Sequence, residues 1–377
     1  MFIRSLTLSH ILSFREPGPL ALNPLNILIG ANASGKSNLF DCIGLLRTLP
    51  GNPGSYISDR GGAGNWVWRG AKRGNDTMSI RPELELGTEN LTYDLTFAAV
   101  ERPFAIREEV LSHGDRVYLR RILGALEAGH RELAGQPHYK TNISPTESAL
   151  SAYRFPSSPI TNVANAFSAI GIYRDFLTGT RDDARAGVSS SDLKHPLEES
   201  GSNLALALQE LDFHGELQSV KRYLSRLSDR FEDIKIRAEG GRSQLYVQER
   251  GLGMMSATRL SDGTLKFLCL MAVLCDPNPG PVICIEEPEN GLHPDALALV
   301  GDALRKASTR TQLIVTTHSD ALVDRFTDEP DSVIVCERDF DESTCFKRLS
   351  SGDLTEWLQE YTLGELWRRG EIGGTKR

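Results

Sequence analysis

The sequence predicts an α/β fold. A mostly parallel sheet with flanking helices carries an antiparallel β meander, and a helical insertion divides the chain. Three observations predict it. Short apolar runs at Leu25–Ile29, Val282–Ile285 and Gln312–Thr316 each end in polar residues, and the first two lead into helical periodicity, the order found in parallel sheets. Leu91, Tyr93, Leu95 and Phe97 alternate with mainly polar residues, and 80–86, 104–111 and 116–120 resemble them. The separators Gly87–Asn90 and His113–Asp115 read as hairpin turns, which makes this stretch a meander. From about Ile122 to Glu232 the character changes to polar loops around helices. The expected division is 1–121, 122–232 as a helical insertion or lid, and 233–377.

The most informative stretch is Gly30-Ala31-Asn32-Ala33-Ser34-Gly35-Lys36-Ser37, followed by Asn38. It fits G-x-x-x-x-G-K-[ST], the phosphate-cradling P-loop, and it lies between a strand and a helix as that motif requires. Glycines let the backbone approach phosphate, and successive N–H groups form an anion nest. The helix N-terminus adds the positive end of its dipole. Lys36 is expected on the β- and γ-phosphates, and Ser37 on Mg²⁺. Arg15, close by in sequence, is either a nucleotide contact or a solvated loop arginine.

Further along, Gly215–Phe231 reads as an amphipathic helix through Leu217, Val220, Leu224, Leu227 and Phe231. Arg222, Arg226 and Arg230 line its other side. Asp229, Glu232 and Asp233 dilute that stripe, which favours a solvated face over a DNA-backbone contact. Residues 234–237 and 244–249 suggest a hairpin around Gly240-Gly241. Ser261-Asp262-Gly263-Thr264 precedes an apolar helix that Ser261 or Asp262 can cap. The strand Val282–Ile285 ends in Glu286 and Glu287, at the carboxyl edge where ligands sit in such sheets. There Glu286 can take Mg²⁺ and Glu287 can accept a proton from an attacking water. His318 ends the next strand, a place suited to a γ-phosphate contact.

Length and composition bound the rest. With 377 residues and 40% hydrophobic content, the chain can bury the cores of two or three domains. A net charge of -8 gives no global footprint for nucleic acid. The six cysteines form no C-x-x-C pair, which suits reduced thiols and a cytoplasmic protein. The best candidate for a membrane span, Phe267–Leu274, is far too short.

P-loop, Leu-Ser-Asp-Gly-Thr, Glu-Glu-Pro-Glu and Thr-Thr-His-Ser occur in the order of an ABC-type ATPase head. In detail the chain resembles the RecF/SMC/OLD-like AAA ATPases, without a Toprim domain. Gly201–Ala205 and Leu363–Trp367 also look like pieces of that group. The resemblance implies ATP and Mg²⁺ as ligands and an ATP-dependent homodimer with two ATP molecules between its heads. Ser261 and Gly263 would meet the γ-phosphate bound to the partner copy. Ser37 and Glu286 would hold Mg²⁺, Glu287 would be the general base, and His318 would sense or stabilise the γ-phosphate. The chain departs from the pattern in three ways. Glu286 stands where an aspartate is usual, the signature reads Ser-Asp-Gly-Thr, and no Q-loop glutamine lies between the P-loop helix and the meander. Gln136 is the first glutamine. These departures bear on turnover more than on nucleotide binding.

The implied role is an ATP-driven switch in a DNA-associated process, anti-phage defence or repair, with a separately encoded effector such as a nuclease. Asp339-Phe340-Asp341, with Glu337 nearby, mimics an acidic metal pair but reads as a hairpin turn. Two alternatives are a slow-turnover nucleotide-sensing regulator and the ATPase subunit of a membrane transporter.

Overall fold

The computed structural model describes residues 2–70, 77–100, 102–122, 125–128, 143–152, 154 and 156–374. Gln136 lies outside them. The strands are β1 (Ile3–Ser9), β2 (Leu20–Ala21), β3 (Leu25–Ile29), β4 (Thr77–Leu86), β5 (Glu89–Val100), β6 (Arg102–His113), β7 (Arg116–Ile122), β8 (Ala125–Ala128), β9 (Gly171–Tyr173), β10 (Val188–Ser189), β11 (Phe231–Glu239), β12 (Arg242–Glu249), β13 (Gly253–Ser256), β14 (Val282–Glu286), β15 (Gln312–Thr316), β16 (Val333–Arg338) and β17 (Thr344–Arg348). The helices that matter below are α1 (Lys36–Thr48), α2 (Pro53–Asp59), α3 (Ala149–Ala152), α4 (Pro159–Ser168), α5 (Asp183–Ala186), α6 (Leu204–Phe213), α7 (Leu217–Leu227), α8 (Asp262–Leu274) and α9 (Pro294–Ser308).

A six-stranded sheet in the order β17-β16-β3-β15-β14-β9 forms the centre. Its strands are parallel except β17, which returns from β16 as a hairpin. Alternation along each strand divides the side chains between two cores. Ile27, Ile29, Ile283, Ile285, Leu313 and Val315 face α6, α7, α8 and α9. Leu28, Val282, Cys284 and Ile314 face α1, α4 and the meander. Being buried on both faces, these strands read as continuous apolar runs rather than alternating ones.

The meander is a sheet of its own, in the order β2-β1-β4-β5-β6-β7-β8. The attachment expected between it and the nucleotide-binding sheet is not made by strand pairing. Instead the N-terminal strand β1 pairs with β4, and residues of the sheet share one core with Leu39, Phe40 and Ile43 of α1.

Residues 122–232 also differ from a purely helical insertion. They supply β9 to the edge of the central sheet and β10 to a smaller sheet with β11, β12 and β13. β9 has three residues, too few for any period to show in sequence. The helix expected at 215–231 ends at Leu227 because Phe231 pairs with Glu249 as the start of β11. The hairpin around Gly240-Gly241 is present. Arg226 binds Asp302 at 3.2 Å and Arg230 binds Glu249 at 2.9 Å, so the arginine stripe is largely neutralised. All six cysteines are free, and five of them are buried. Among the described residues no helix is long and apolar enough to cross a membrane.

One buried charge fixes the meander to the segment that follows it. Glu109 and Arg121 stand opposite each other on β6 and β7, both fully buried, 3.9 Å apart. Glu109 accepts hydrogen bonds from Tyr93 Oη (2.7 Å), Ser148 Oγ (2.6 Å) and the Ala149 amide (2.7 Å) at α3. Burial lowers the Arg121 pKa, and Glu109 opposes that shift. Removing one partner of such a pair strands a buried charge, so Glu109→Ala is expected to cost about 3–5 kcal/mol. Urea unfolding should register that loss, and Glu109→Leu combined with Arg121→Met should recover much of it. Equal stability of wild type and Glu109→Ala would show that the pair holds nothing.

Candidate active site

The carboxyl edge of the parallel sheet collects the chemistry. Read across it, the residues at or just past the strand ends are Arg338 at β16, the P-loop at β3, His318 at β15, Glu286 and Glu287 at β14, and Arg174 at β9. Loops at this edge are where open parallel sheets bind ligands.

The P-loop turns from β3 into α1. Gly35 caps that helix with φ of 107°, and a Cβ there would strike the Thr344 hydroxyl. Thr344 Oγ1 donates to the Ser34 carbonyl (2.7 Å), and Arg338 Nε donates to the Ala33 carbonyl (2.7 Å), so the β16–β17 hairpin braces the loop. Ser34 Oγ is buried and has no hydrogen-bond partner among the described residues. Lys36 is buried, and its Nζ donates to the carbonyls of Gly30 (2.7 Å) and Ala31 (3.0 Å). Burial lowers its pKa, with Cys336, Glu287, Glu286 and Glu289 acting the other way.

Ser37 Oγ donates to Glu286 Oε1. Arg174 Nη1 donates to Glu286 Oε2 (3.0 Å) and Arg174 Nη2 to Asp41 (2.6 Å), which Arg60 also binds (3.0 Å). Burial works against the Arg174 charge, but Asp41 and then Glu286 outweigh it and raise the pKa.

Glu287 adopts φ of 47°, rare for a side chain of its size and of a kind that clusters at functional sites. Its amide donates to the Thr316 carbonyl (2.9 Å). Its carboxylate meets Asn290 Nδ2 at 2.8 Å and His318 Nε2 at 3.4 Å. Glu289 accepts from Thr317 Oγ1 (2.8 Å) and the His318 amide (2.6 Å), and burial raises its pKa.

A cleft of about 780 Å³ opens over these groups, lined by Asn32–Asn38, Glu287, His318, Arg338 and Trp68. Such a volume suits a nucleotide-sized ligand.

Ser261 and Gly263 stand elsewhere. Ser261 Oγ accepts the Thr264 amide (3.1 Å) and caps α8, and neither residue lines the cleft. A Cβ at Gly263 would lie 2.7 Å from the Gly291 carbonyl, so glycine is needed for that close approach.

Residues 25–324 match the family described as "AAA domain, putative AbiEii toxin, Type IV TA system". The chain belongs to this family. A search of curated proteins finds no match. Among solved structures, this AAA protein is similar to an SmcHead bound to the C-winged helix domain of ScpA, with a TM-score of 0.60 and 14% identity over 94% of this chain and 100% of that one. It is also similar to the SMC head domain from Thermotoga maritima (TM-score 0.52, 14% identity, 93% and 100% covered). A third is the Smc head domain with an extended coiled coil, bound to the C-terminal domain of ScpA, derived from Pyrococcus furiosus (0.55, 14%, 95% and 99%). At this identity the likeness shows the fold alone, a P-loop NTPase head of the SMC type.

In this AAA head the P-loop, Glu286, Glu287 and His318 stand together at one edge of the central sheet. Asp339 and Asp341 do not form a metal pair. Asp339 accepts the amides of Asp341 (2.9 Å) and Ser343 (2.8 Å) in its own turn, and Asp341 binds Arg15 at 2.6 Å. Arg15 is thereby tied to that hairpin.

Three residues escaped sequence reasoning. Asp41 lies one turn beyond Ser37 on α1, and that helical spacing was a signal within reach. Arg174 follows a strand too short to recognise. Arg185, buried in a segment that reads as polar loop, donates to the carbonyls of Thr178 (3.0 Å) and Leu260 (2.6 Å) and pairs with Asp262, holding the Ser261 loop.

Proposed function

We propose that this AAA protein binds and hydrolyses ATP and acts as a switch, two copies closing over two ATP molecules. One observation carries this reading. The cleft holds a phosphate cradle and a carboxylate poised for water, yet Ser261 and Gly263 stand outside it at the N-terminus of α8, with Ser261 exposed. That exposed helix end, capped by Ser261, presents amides and a hydroxyl suited to a phosphate on another copy.

In the proposal the P-loop amides and Lys36 hold the triphosphate. Ser37 and Glu286 already touch, offering a hydroxyl and a carboxylate of the kind Mg²⁺ takes together with substrate phosphates. Bound there, the ion would neutralise charge on the β- and γ-phosphate oxygens. Glu287 accepts the proton of the attacking water, Asn290 aims its carboxylate, and His318 stands beside it toward the γ-phosphate. The toxin and Type IV TA system in the family's name favour defence over repair, and in this proposal a separately encoded effector, such as a nuclease, reads the closed state. DNA remains a candidate partner outside the neutralised arginine stripe. Free cysteines suit the cytoplasm. Slow turnover is a second reading, favoured by Arg174 on Glu286.

Mass in solution tests the proposal. Glu287→Gln protein should double its mass with ATP and Mg²⁺. Adding Ser261→Arg should keep it monomeric while ATP still binds. An unchanged mass with ATP bound would refute the shared pocket.

A further inference from the structure

We propose that Arg174 is a resident counter-cation of the metal-side carboxylates, one that Mg²⁺ must displace from Glu286 for nucleotide to bind productively. The inference rests on the role given to Glu286 above.

The geometry starts from strand register. Tyr173 of β9 pairs with Ile285 of β14 in parallel, so Arg174 and Glu286 are the next residues on neighbouring strands. That register puts a guanidinium beside the carboxylate without any long reach. Both Glu286 oxygens are then engaged, Oε1 by Ser37 and Oε2 by Arg174 at 3.0 Å. A cation entering between Ser37 and Glu286 competes with the guanidinium for the same charge. The competition matters because these groups are mostly shielded from water. Side-chain exposure is 34% for Arg174, 16% for Glu286 and 21% for Asp41, so solvent screens the pair less than at an open surface.

Arg174 has somewhere to stay when it lets go. Asp41 holds its other nitrogen at 2.6 Å and belongs to α1, which does not depend on the metal. The next residue has a contact of its own. Asp175 binds Lys266 of α8 at 2.7 Å, about one turn from Ser261. Adjacent backbone positions thus touch the metal-side carboxylate and the helix that presents Ser261. The exchange at Glu286 thus takes place one residue from a contact with that helix, made by an Asp175 whose side chain is itself 65% exposed. Mg²⁺ can shift this arrangement only because it favours the state in which Glu286 is free.

The test is an equilibrium titration without turnover. Binding of ATPγS is measured by calorimetry across MgCl₂ concentrations and in EDTA, for wild type, Arg174→Gln and Arg174→Lys. In Arg174→Gln the Mg²⁺ concentration for half-maximal binding should fall about tenfold, the worth of one charge-assisted hydrogen bond. Affinity in EDTA should stay within about twofold. Arg174→Lys, still cationic but unable to fork between two carboxylates, should fall between. An unmoved Mg²⁺ midpoint in both variants, with wild type binding normally, overturns the inference alone. Weaker binding of Arg174→Gln in EDTA and in Mg²⁺ alike would make Arg174 a phosphate contact, which also overturns it. Failure of wild type to bind ATPγS with Mg²⁺ overturns the nucleotide reading itself. Should Arg174→Gln not fold, Arg174→Lys decides alone by its midpoint.

Discussion

Glu287→Gln stops turnover and leaves ATP bound. Hydrolysis is expected to fall about 10²–10⁴-fold, the usual worth of a positioned general base. The reason lies in how little else the change disturbs. The Glu287 backbone, at φ of 47°, is held by the Thr316 carbonyl and does not depend on the side-chain charge. Glutamine has the same length, and its amide oxygen can still accept the Asn290 hydrogen bond of 2.8 Å. What it cannot do is take a proton from water. Steady-state phosphate release measured beside equilibrium ATP binding separates the two effects. If wild type and Glu287→Gln hydrolyse ATP equally slowly, catalysis by this carboxylate is wrong and the slow regulator is the better reading.

Legibility in the sequence followed the length and burial of each element. β3, β14 and β15, of five residues each, are buried on both faces, so their centres stand out as runs of three or four apolar residues. The meander was legible for the opposite reason. One of its faces meets the core, and β4 shows the resulting alternation. Sheet membership was hidden, because hydrogen-bond partners leave no local trace. β1 and β3 are separated only by the short β2, yet they belong to different sheets. The site divided in the same way. Lys36 and Ser37 open α1 within a recognisable motif, and Glu286, Glu287 and His318 lie at the ends of recognisable strands. Arg174 and Arg185 act through partners far off in sequence, Glu286 and the Leu260 carbonyl. Only the folded chain brings them there.

Lys36→Met removes ATP binding at working concentrations and leaves the fold intact. The Lys36 ammonium is buried and bonded to the carbonyls of Gly30 and Ala31, at 2.7 and 3.0 Å, so the loop is already shaped around the cation before phosphate arrives. Methionine keeps the unbranched stem and its packing but offers no charge. Hydrogen bonds to charged groups contribute about 1.5–3 kcal/mol each, so losing those to two phosphates should weaken ATP at least 100-fold, roughly. Thermal unfolding reports this through linkage. With ATP at about 100 times the wild-type Kd, wild type gains about 2.7 kcal/mol. A variant binding 100-fold more weakly, roughly, gains only about 0.4 kcal/mol. The nucleotide-free midpoints of the two proteins should stay close, because burial already disfavours the Lys36 charge and its removal relieves that cost while freeing two carbonyls. The same burial fixes the alkaline limit of binding. The free protein's Lys36 pKa is lowered, so raising the pH discharges it earlier than an ordinary lysine, and ATP affinity should decline from a correspondingly lower pH. A Lys36→Met protein that keeps the full ATP-induced rise in midpoint would show that the triphosphate does not lie in this cradle.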